Sequence, residues 1–404
     1  MAVALRGALE VLMSVLTYPT RHSDEEPVIT CHDTASNGRF LAAMPSLRAF
    51  RPTWWAVGPY AQTVLNSSRA IKNALPEERE YVPMADGVEV ALDWKVLDPD
   101  LSPEAPLVLV CHGLGGSSSS PSCAGVTEAL AREGWRAVVY VRRGHGGTSL
   151  LPPSWQTAVD AAEDATRAGE ALVKAFPCHV DMDDLRQVVH HLSHRFPSAP
   201  KLLVGLSAGG NLAVRYQGDC PGESPFIAAV SISNGHELTQ LMSSLRRRPL
   251  MDAMLVTFIK GIMYDRMHEV EHLLERANIH VHWPRLTWLW STRPFEEHLT
   301  SRVWGYTSVD EYYAKQGCFK SLQHVQVPLL SLASADDPMI DPQLIRYAQE
   351  AARANPHVLS VATVRGGHLG WLEGNHAVCW MHKVIVQYLR EVLAQAQSGS
   401  AVGQ

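Results

Sequence analysis

The stretch of this chain most directly suited to chemistry is Gly205-Leu206-Ser207-Ala208-Gly209, a serine with a glycine two residues away on either side. The apolar run Leu202–Val204 precedes it and a helix-like pattern follows, so it predicts a strand, a sharp turn and a helix with Ser207 at the tip of a nucleophile elbow. The spacing has a steric reason: the strained turn closes only where those neighbours lack a Cβ. The following helix would aim its first N–H groups at the place where an oxyanion forms beside the serine.

A serine needs two more groups. It is a weak nucleophile until a base takes its proton; a histidine can take and return it, and a carboxylate fixes the imidazole tautomer and stabilises its cation. The loops Ala335-Asp336-Asp337-Pro338 and Gly366-Gly367-His368-Leu369-Gly370-Trp371 each follow an apolar run and supply both. The order Ser207, Asp337, His368 is that of an α/β-hydrolase triad. Asp337 is the expected carboxylate, because its place before Pro338, Met339 and Ile340 suits a loop end; Asp336 is the alternative. Backbone N–H groups of Leu114 and Ala208 are the expected oxyanion hole.

Taken singly, each signal has a plainer reading. A lone G-x-S-x-G is as often an ordinary turn, and an isolated loop histidine is usually a local hydrogen-bonding group; the combination in one order points to catalysis. With 19 histidines in the chain, position decides. His112 and His145 read as structural and local. His179 and Asp184, five apart, match an acyltransferase-like spacing no better than chance would.

These groups need strand ends that converge. Val88–Leu97 alternates apolar and polar after an Asp86-Gly87 hairpin turn, as a half-buried strand does. The apolar runs Leu107–Cys111, Trp135–Val141, Phe226–Ser233, Val327–Ala333 and Val358–Val364 read as strands buried on both faces. Helical patterns near Ala124–Glu133, Gln156–Lys174, Asp181–Arg195 and His376–Leu393 alternate with them. This rhythm predicts a doubly wound sheet with right-handed crossovers. The fold class is α/β, an α/β-hydrolase fold with a mostly parallel eight-stranded sheet, helices on both faces and a helical lid insertion. Its core is expected in two parts, residues 81–235 and 326–395, with the lid at 236–325, where the strand rhythm stops and methionines and tryptophans collect. An extra helical layer would look the same in sequence. Residues 19–80 are expected to be a linker, irregular over 19–50, followed by an aromatic segment around Pro52, Trp54, Trp55 and Tyr60 clamped to the core. Residues 396–404 read as a polar tail. Arg142–Thr148 is a Gly-rich loop without the G-K-[ST] of a phosphate loop.

Composition narrows the class. With 404 residues, 46% hydrophobic and 7% aromatic, the chain suits an ordinary globular core. A net charge of -6 without long runs of one sign argues against a nucleic-acid partner. Seven cysteines, never spaced C-x-x-C, exclude a disulfide scaffold and a zinc ribbon and suggest reduced thiols facing the cytosol. No cofactor or metal is expected. Residues 1–18 are apolar apart from Arg6 and Glu10, which leave too short a run to span a bilayer. That segment reads equally as a helix lying on a membrane surface or one packed on the protein itself. The protein is expected at a cytosol-facing membrane surface or in the cytoplasm, and not secreted.

The combined set of Pro52–Trp54 with Gln62-Thr63, Gly205-Leu206-Ser207-Ala208-Gly209-Gly210-Asn211, Asp336-Asp337-Pro338 and Gly366-Gly367-His368-Leu369-Gly370 resembles the AB hydrolase-4 family. Abhydrolase domain-containing lipases, plant embryogenesis-associated proteins and yeast medium-chain ester synthases belong to it. The resemblance covers about residues 50–395. It implies hydrolysis or acyl transfer on lipid esters, often in membrane-attached enzymes, and carries the triad over as Ser207, Asp337 and His368. The chain departs from the family pattern at Gly58–Thr63, where a G-H-L-Q-T histidine is common, in an insertion at about 155–175, and at Asp341, where proline is common.

The expected activity is therefore that of a serine carboxylic-ester hydrolase. Monoacylglycerols, phospholipids or medium-chain esters are its expected substrates, cleaved through an acyl-Ser207 intermediate. An acyltransferase using the same three residues, or a catalytically silent lipid-binding fold, are the alternatives. Protease and thioesterase chemistry would use the same triad, whereas an epoxide hydrolase or dehalogenase would carry aspartate at position 207.

Overall fold

Continuous apolar runs become the parallel centre of one sheet. In chain order its strands are β1 (Val28–Thr30), β2 (Glu78–Pro83), β3 (Glu89–Lys95), β4 (Leu107–Cys111), β5 (Arg136–Val141), β6 (Lys201–Leu206), β7 (Phe226–Ile232), β8 (Leu329–Ser334) and β9 (Val358–Thr363). They lie in the order β1-β9-β8-β7-β6-β4-β5-β3-β2. From β5 to β9 neighbouring strands are parallel, while β1 and the β2–β3 hairpin join the two edges antiparallel. The computed structural model describes residues 26–56, 58–68, 78–152, 178–276 and 279–398.

The helices are α1 (Ala35–Ala43), α2 (Pro59–Ser67), α3 (Pro121–Ala131), α4 (Met182–Arg195), α5 (Ala208–Asp219), the inserted α6 (Leu238–Leu245), α7 (Pro249–Tyr264), α8 (Met267–Arg276), α9 (Trp283–Thr287), α10 (Thr292–His298), α11 (Thr300–Val303) and α12 (Val309–Gln316), then α13 (Ile345–Ala354) and α14 (Trp380–Gln397). Alternation along β4 sorts them into two layers. Val108 and Val110 pack with Val126 and Leu130 of α3 and with the inner face of α14; Leu107 and Leu109 pack on the opposite face with Val188 and Leu192 of α4 and Val214 of α5. The chain reverses from antiparallel to parallel pairing and doubles back across β4, so the carboxyl ends of β4, β6, β8 and β9 gather at one edge, where such sheets hold their sites.

The sheet has nine strands rather than the expected eight. The additional one is β1, which pairs Val28–Thr30 with Ser360–Ala362 of β9. Much of the stretch expected as an irregular linker is ordered: Thr34 caps α1 through its side chain, and a 3-10 turn spans Pro45–Arg48. Phe40, Met44 and Leu47 fall at i, i+4 and i+7 and are buried in the core layer of α14, with the Phe40 and Tyr388 rings 4.9 Å apart. Truncating a ring buried this way costs about 3–5 kcal/mol, so this segment is structural. The aromatic clamp is also corrected in part. The Trp54 and Trp55 rings are exposed, and the segment is held mainly by Thr53, through its N–H to Leu372 O at 2.8 Å and its hydroxyl to Gly374 O at 2.9 Å, with the Trp55 indole N–H reaching Asn375 O at 3.4 Å.

The insertion between β7 and β8 is helical throughout most of its length, from α6 to α12. The apolar segment 1–18 and the helix expected at Gln156–Lys174 lie outside the described residues. No helix among the described residues is long and apolar enough to cross a membrane.

Candidate active site

Ser207 stands between the end of β6 and the start of α5 with φ 54° and ψ -118°, a backbone conformation that costs a non-glycine residue about 1–3 kcal/mol. Its neighbours make that turn feasible. A Cβ on Gly205 would overlap the carbonyl of Gly209, and one on Gly209 would overlap the carbonyl of Cys111 on β4. The turn is thus wedged against the adjacent strand, and Ser207 is fixed by its N–H to Ile232 O at 2.8 Å.

His368 comes to it from the loop after β9. Its Nε2 lies 2.9 Å from Ser207 Oγ and its Nδ1 2.8 Å from Asp337 Oδ2. The carboxylate holds the ring proton on Nδ1, which leaves the Nε2 lone pair to accept from the serine hydroxyl. Asp337, in the loop after β8, is held in turn: its Oδ1 accepts the N–H groups of Met339 at 2.7 Å and Ile340 at 3.0 Å. Both His368 and Asp337 are buried. Asp336 points elsewhere, accepting from the Ser334 hydroxyl and from the Gly367 N–H at 2.8 Å. It therefore ties the aspartate loop to the histidine loop without reaching the imidazole.

The histidine loop is gripped from the other side by α2. Gln62, Thr63 and Asn66 share one buried face of that helix. The His368 N–H donates to Thr63 Oγ1 at 2.8 Å, the Leu372 N–H to Gln62 Oε1 at 2.7 Å, and Asn66 Nδ2 to Leu369 O at 2.6 Å. Leu369 and Trp371 both have positive φ, so the loop is strained and these contacts hold it. Gln62 and Thr63 were visible in the sequence as part of a motif, but the helical spacing that adds Asn66 to them is the signal that reveals their common task.

Leu114 and Ala208 flank the same space as Ser207 and His368. Ala208 opens α5, whose first N–H groups lack intrahelical acceptors. The loop carrying Leu114 is set by His112, whose Nδ1 donates to Gly113 O at 2.7 Å and whose Nε2 accepts the Arg142 N–H at 3.3 Å. Burial and the neighbouring Arg142 push His112 down to about 4, so it is neutral at pH 7 and serves as a fixed strut. His145 stacks beside it, rings 4.9 Å apart, and burial likewise keeps it neutral.

His179 and Asp184 do not converge. Asp184 pairs with the Arg143 guanidinium, whereas the His179 Nε2 faces Glu296 Oε1 at 3.0 Å. Among the described residues no cluster of His, Cys, Asp and Glu is suited to a metal ion.

The space beside Ser207 is a small cavity of about 50 Å3. Its wall is largely apolar, with Leu238, Leu241, Met242, Leu245 and Leu255 from the inserted helices and Met339 and Ile340 from the loop after β8. A family model described as serine aminopeptidase, S33 (Hydrolase_4) matches residues 102–363, more than half of the chain, from just before β4 to the end of β9. The chain belongs to that family. The family expectation drawn from the motifs holds, and with it the reading as a serine ester hydrolase of α/β fold.

Curated relatives match along nearly the whole chain. Human phospholipase ABHD3 is 28% identical over 85% of this chain and 79% of its own. The embryogenesis-associated protein EMB8 of Picea glauca is 28% identical over 84% and 71%. Monoacylglycerol lipase ABHD2 of Danio rerio is 24% identical over 96% and 90%.

Proposed function

We propose that this enzyme hydrolyses carboxylic esters of lipid-like acyl chains through an acyl-Ser207 intermediate. The observation that carries the reading is an apolar cavity opening on the hydroxyl of Ser207, which is itself hydrogen-bonded to His368 and through it to Asp337. His368 takes the serine proton as Oγ attacks the ester carbonyl, then returns it to the departing alcohol; Asp337 stabilises the imidazolium between the two steps. The N–H groups of Leu114 and Ala208 hold the oxyanion. Water then attacks the acyl-enzyme, with His368 again acting as base.

The inserted helices act as the lid that shields the acyl chain, since Leu241, Met242 and Leu255 line the cavity beside Ser207. The names of the relatives, a phospholipase and a monoacylglycerol lipase, support a lipid ester as substrate. An alcohol in place of water at the second step would make the same site an acyltransferase.

The test is an ester series of increasing acyl length with wild type, Ser207→Ala and Leu241→Trp. Ser207→Ala should lose cleavage of every ester while staying folded. Leu241→Trp fills part of the cavity and should lower kcat/KM for long chains by about tenfold or more relative to short ones, the size a few misplaced methylenes cost. Equal cleavage by wild type and Ser207→Ala would overturn the reading.

A further inference from the structure

One polar side chain in the wall of this apolar cavity has no part in the arrangement of Ser207, His368 and Asp337. His179, only 5% exposed, borders the cavity. Its Nε2 donates to Glu296 Oε1 at 3.0 Å, and the other Glu296 oxygen accepts from the Tyr313 hydroxyl at 2.6 Å. Glu296 and Tyr313 are themselves buried. The backbone is pinned as well: the His179 N–H donates to the Tyr312 hydroxyl at 3.3 Å and the Val180 N–H to Gln316 Oε1 at 2.9 Å.

A carboxylate accepting at Nε2 fixes the imidazole proton there and leaves Nδ1 as an acceptor. Among the described residues no group hydrogen-bonds that Nδ1. Asn211, which also borders the cavity, repeats the pattern: its Nδ2 donates to Gln316 O at 2.8 Å, and its Oδ1 has no partner among the described residues. Gln316 thus joins the Asn211 side chain to the backbone beside His179. The unpaired Asn211 Oδ1 and the ring acceptor of His179, set in a wall that is largely apolar, call for a donor. An unsubstituted acyl chain has none to offer, whereas the alcohol portion of an ester can carry a hydroxyl.

We propose that His179, oriented by Glu296 and with Asn211 beside it, accepts a hydrogen bond from a free hydroxyl on the alcohol portion of the ester and so selects hydroxylated esters over alkyl esters of the same acid. This rests on the ester-hydrolase reading of the cavity. His179 is a specificity-determining residue in this account; it exchanges no proton with the reacting atoms.

The experiment compares kcat/KM for monooctanoylglycerol, propyl octanoate and the propyl ester of a hydroxyoctanoic acid in wild type, His179→Leu and His179→Gln. Each protein is checked by thermal unfolding and by fluorophosphonate labelling of Ser207. Wild type should prefer monooctanoylglycerol over propyl octanoate by about tenfold, one hydrogen bond's worth. His179→Leu should erase that ratio, and His179→Gln, which keeps a donor for Glu296 and an acceptor for the substrate, should restore most of it. The readout is a ratio, so a general loss of rate does not imitate it. If His179→Leu fails to fold, His179→Met, which keeps the side-chain bulk without the ring acceptor, is read in its place: a lost preference supports the proposal and a retained one overturns it. An unchanged ratio in a folded His179→Leu, no preference in wild type, or a preference for the hydroxyoctanoic ester instead overturns this inference while leaving the hydrolase reading intact. Failure of wild type to cleave any of the three esters overturns both.

Discussion

His368 Nε2 sits 2.9 Å from Ser207 Oγ although 161 positions separate the two residues in the chain. Neither loop would hold that distance alone. The serine is set by a turn too tight for side chains at Gly205 and Gly209, and the histidine by α2 on one side and Asp336 on the other.

The two adjacent aspartates should therefore separate cleanly on mutation. Asp337→Asn keeps the shape but presents the wrong partner to Nδ1, and kcat should fall by roughly 10⁴-fold at neutral pH, as such tautomer errors cost in triad enzymes. Asp336→Asn weakens the acceptor of the Gly367 N–H and the Ser334 hydroxyl without touching the imidazole. It should cost about 1 kcal/mol of stability and less than about tenfold in kcat, because no reacting atom loses its partner. Steady-state kinetics beside denaturant unfolding checks both; equal kinetic losses would contradict the assignment.

Thr63 gives a second handle, remote in sequence from the serine. Thr63→Val leaves the His368 N–H buried without an acceptor, which costs about 1–3 kcal/mol and lets the histidine loop relax. Activity should drop through kcat with KM little altered, and Thr63→Ser, which keeps the hydroxyl, should recover most of it. A variant equal to wild type in both stability and kcat would show that α2 does not position the histidine.

Acid should destabilise the fold through buried histidines that take no proton from Ser207. Burial pushes His236 down to about 4, and burial with Arg142 does the same to His112, from an ordinary value of 6.5. Between those values the unfolded chain binds protons that the folded chain refuses, so stability present above 6.5 is lost as the pH falls toward 4. Each group contributes on the order of 3 kcal/mol at most. Asp181 acts in the opposite sense, because burial beside Asp184 raises it and its cost is relieved on acidification. Denaturant titrations between about pH 7 and about pH 4.5 should show falling stability, with a shallower slope in His236→Asn. An identical slope in the variant would count against it.

Much of this site could be read before the structure because its parts sit at ends of strongly apolar strands. The runs at Leu202–Val204, Leu329–Leu332 and Val358–Val361 mark buried strands by composition alone, and each is followed by a residue type that the chemistry requires. The N-terminal segment was harder to read. β1 is three residues long and pairs only with the edge of β9, and the Phe40, Met44, Leu47 stripe runs across the end of α1 into a 3-10 turn begun by Pro45, so no single helical period carries it. Trp54 and Trp55 drew attention by size while Thr53 does most of the holding, a role fixed by where its neighbours' carbonyls point. Glu296 had no local signal at all, since its contact with His179 spans 117 positions and arises from how the inserted helices pack.

The most direct test of the central claim is labelling of purified wild type and Ser207→Ala with a fluorophosphonate probe, which reports a serine made nucleophilic by its base. Wild type should label in a single stoichiometric event, and a folded Ser207→Ala should not label. Equal labelling of the variant, or none of a folded wild type, would contradict the assignment of Ser207 as the nucleophile.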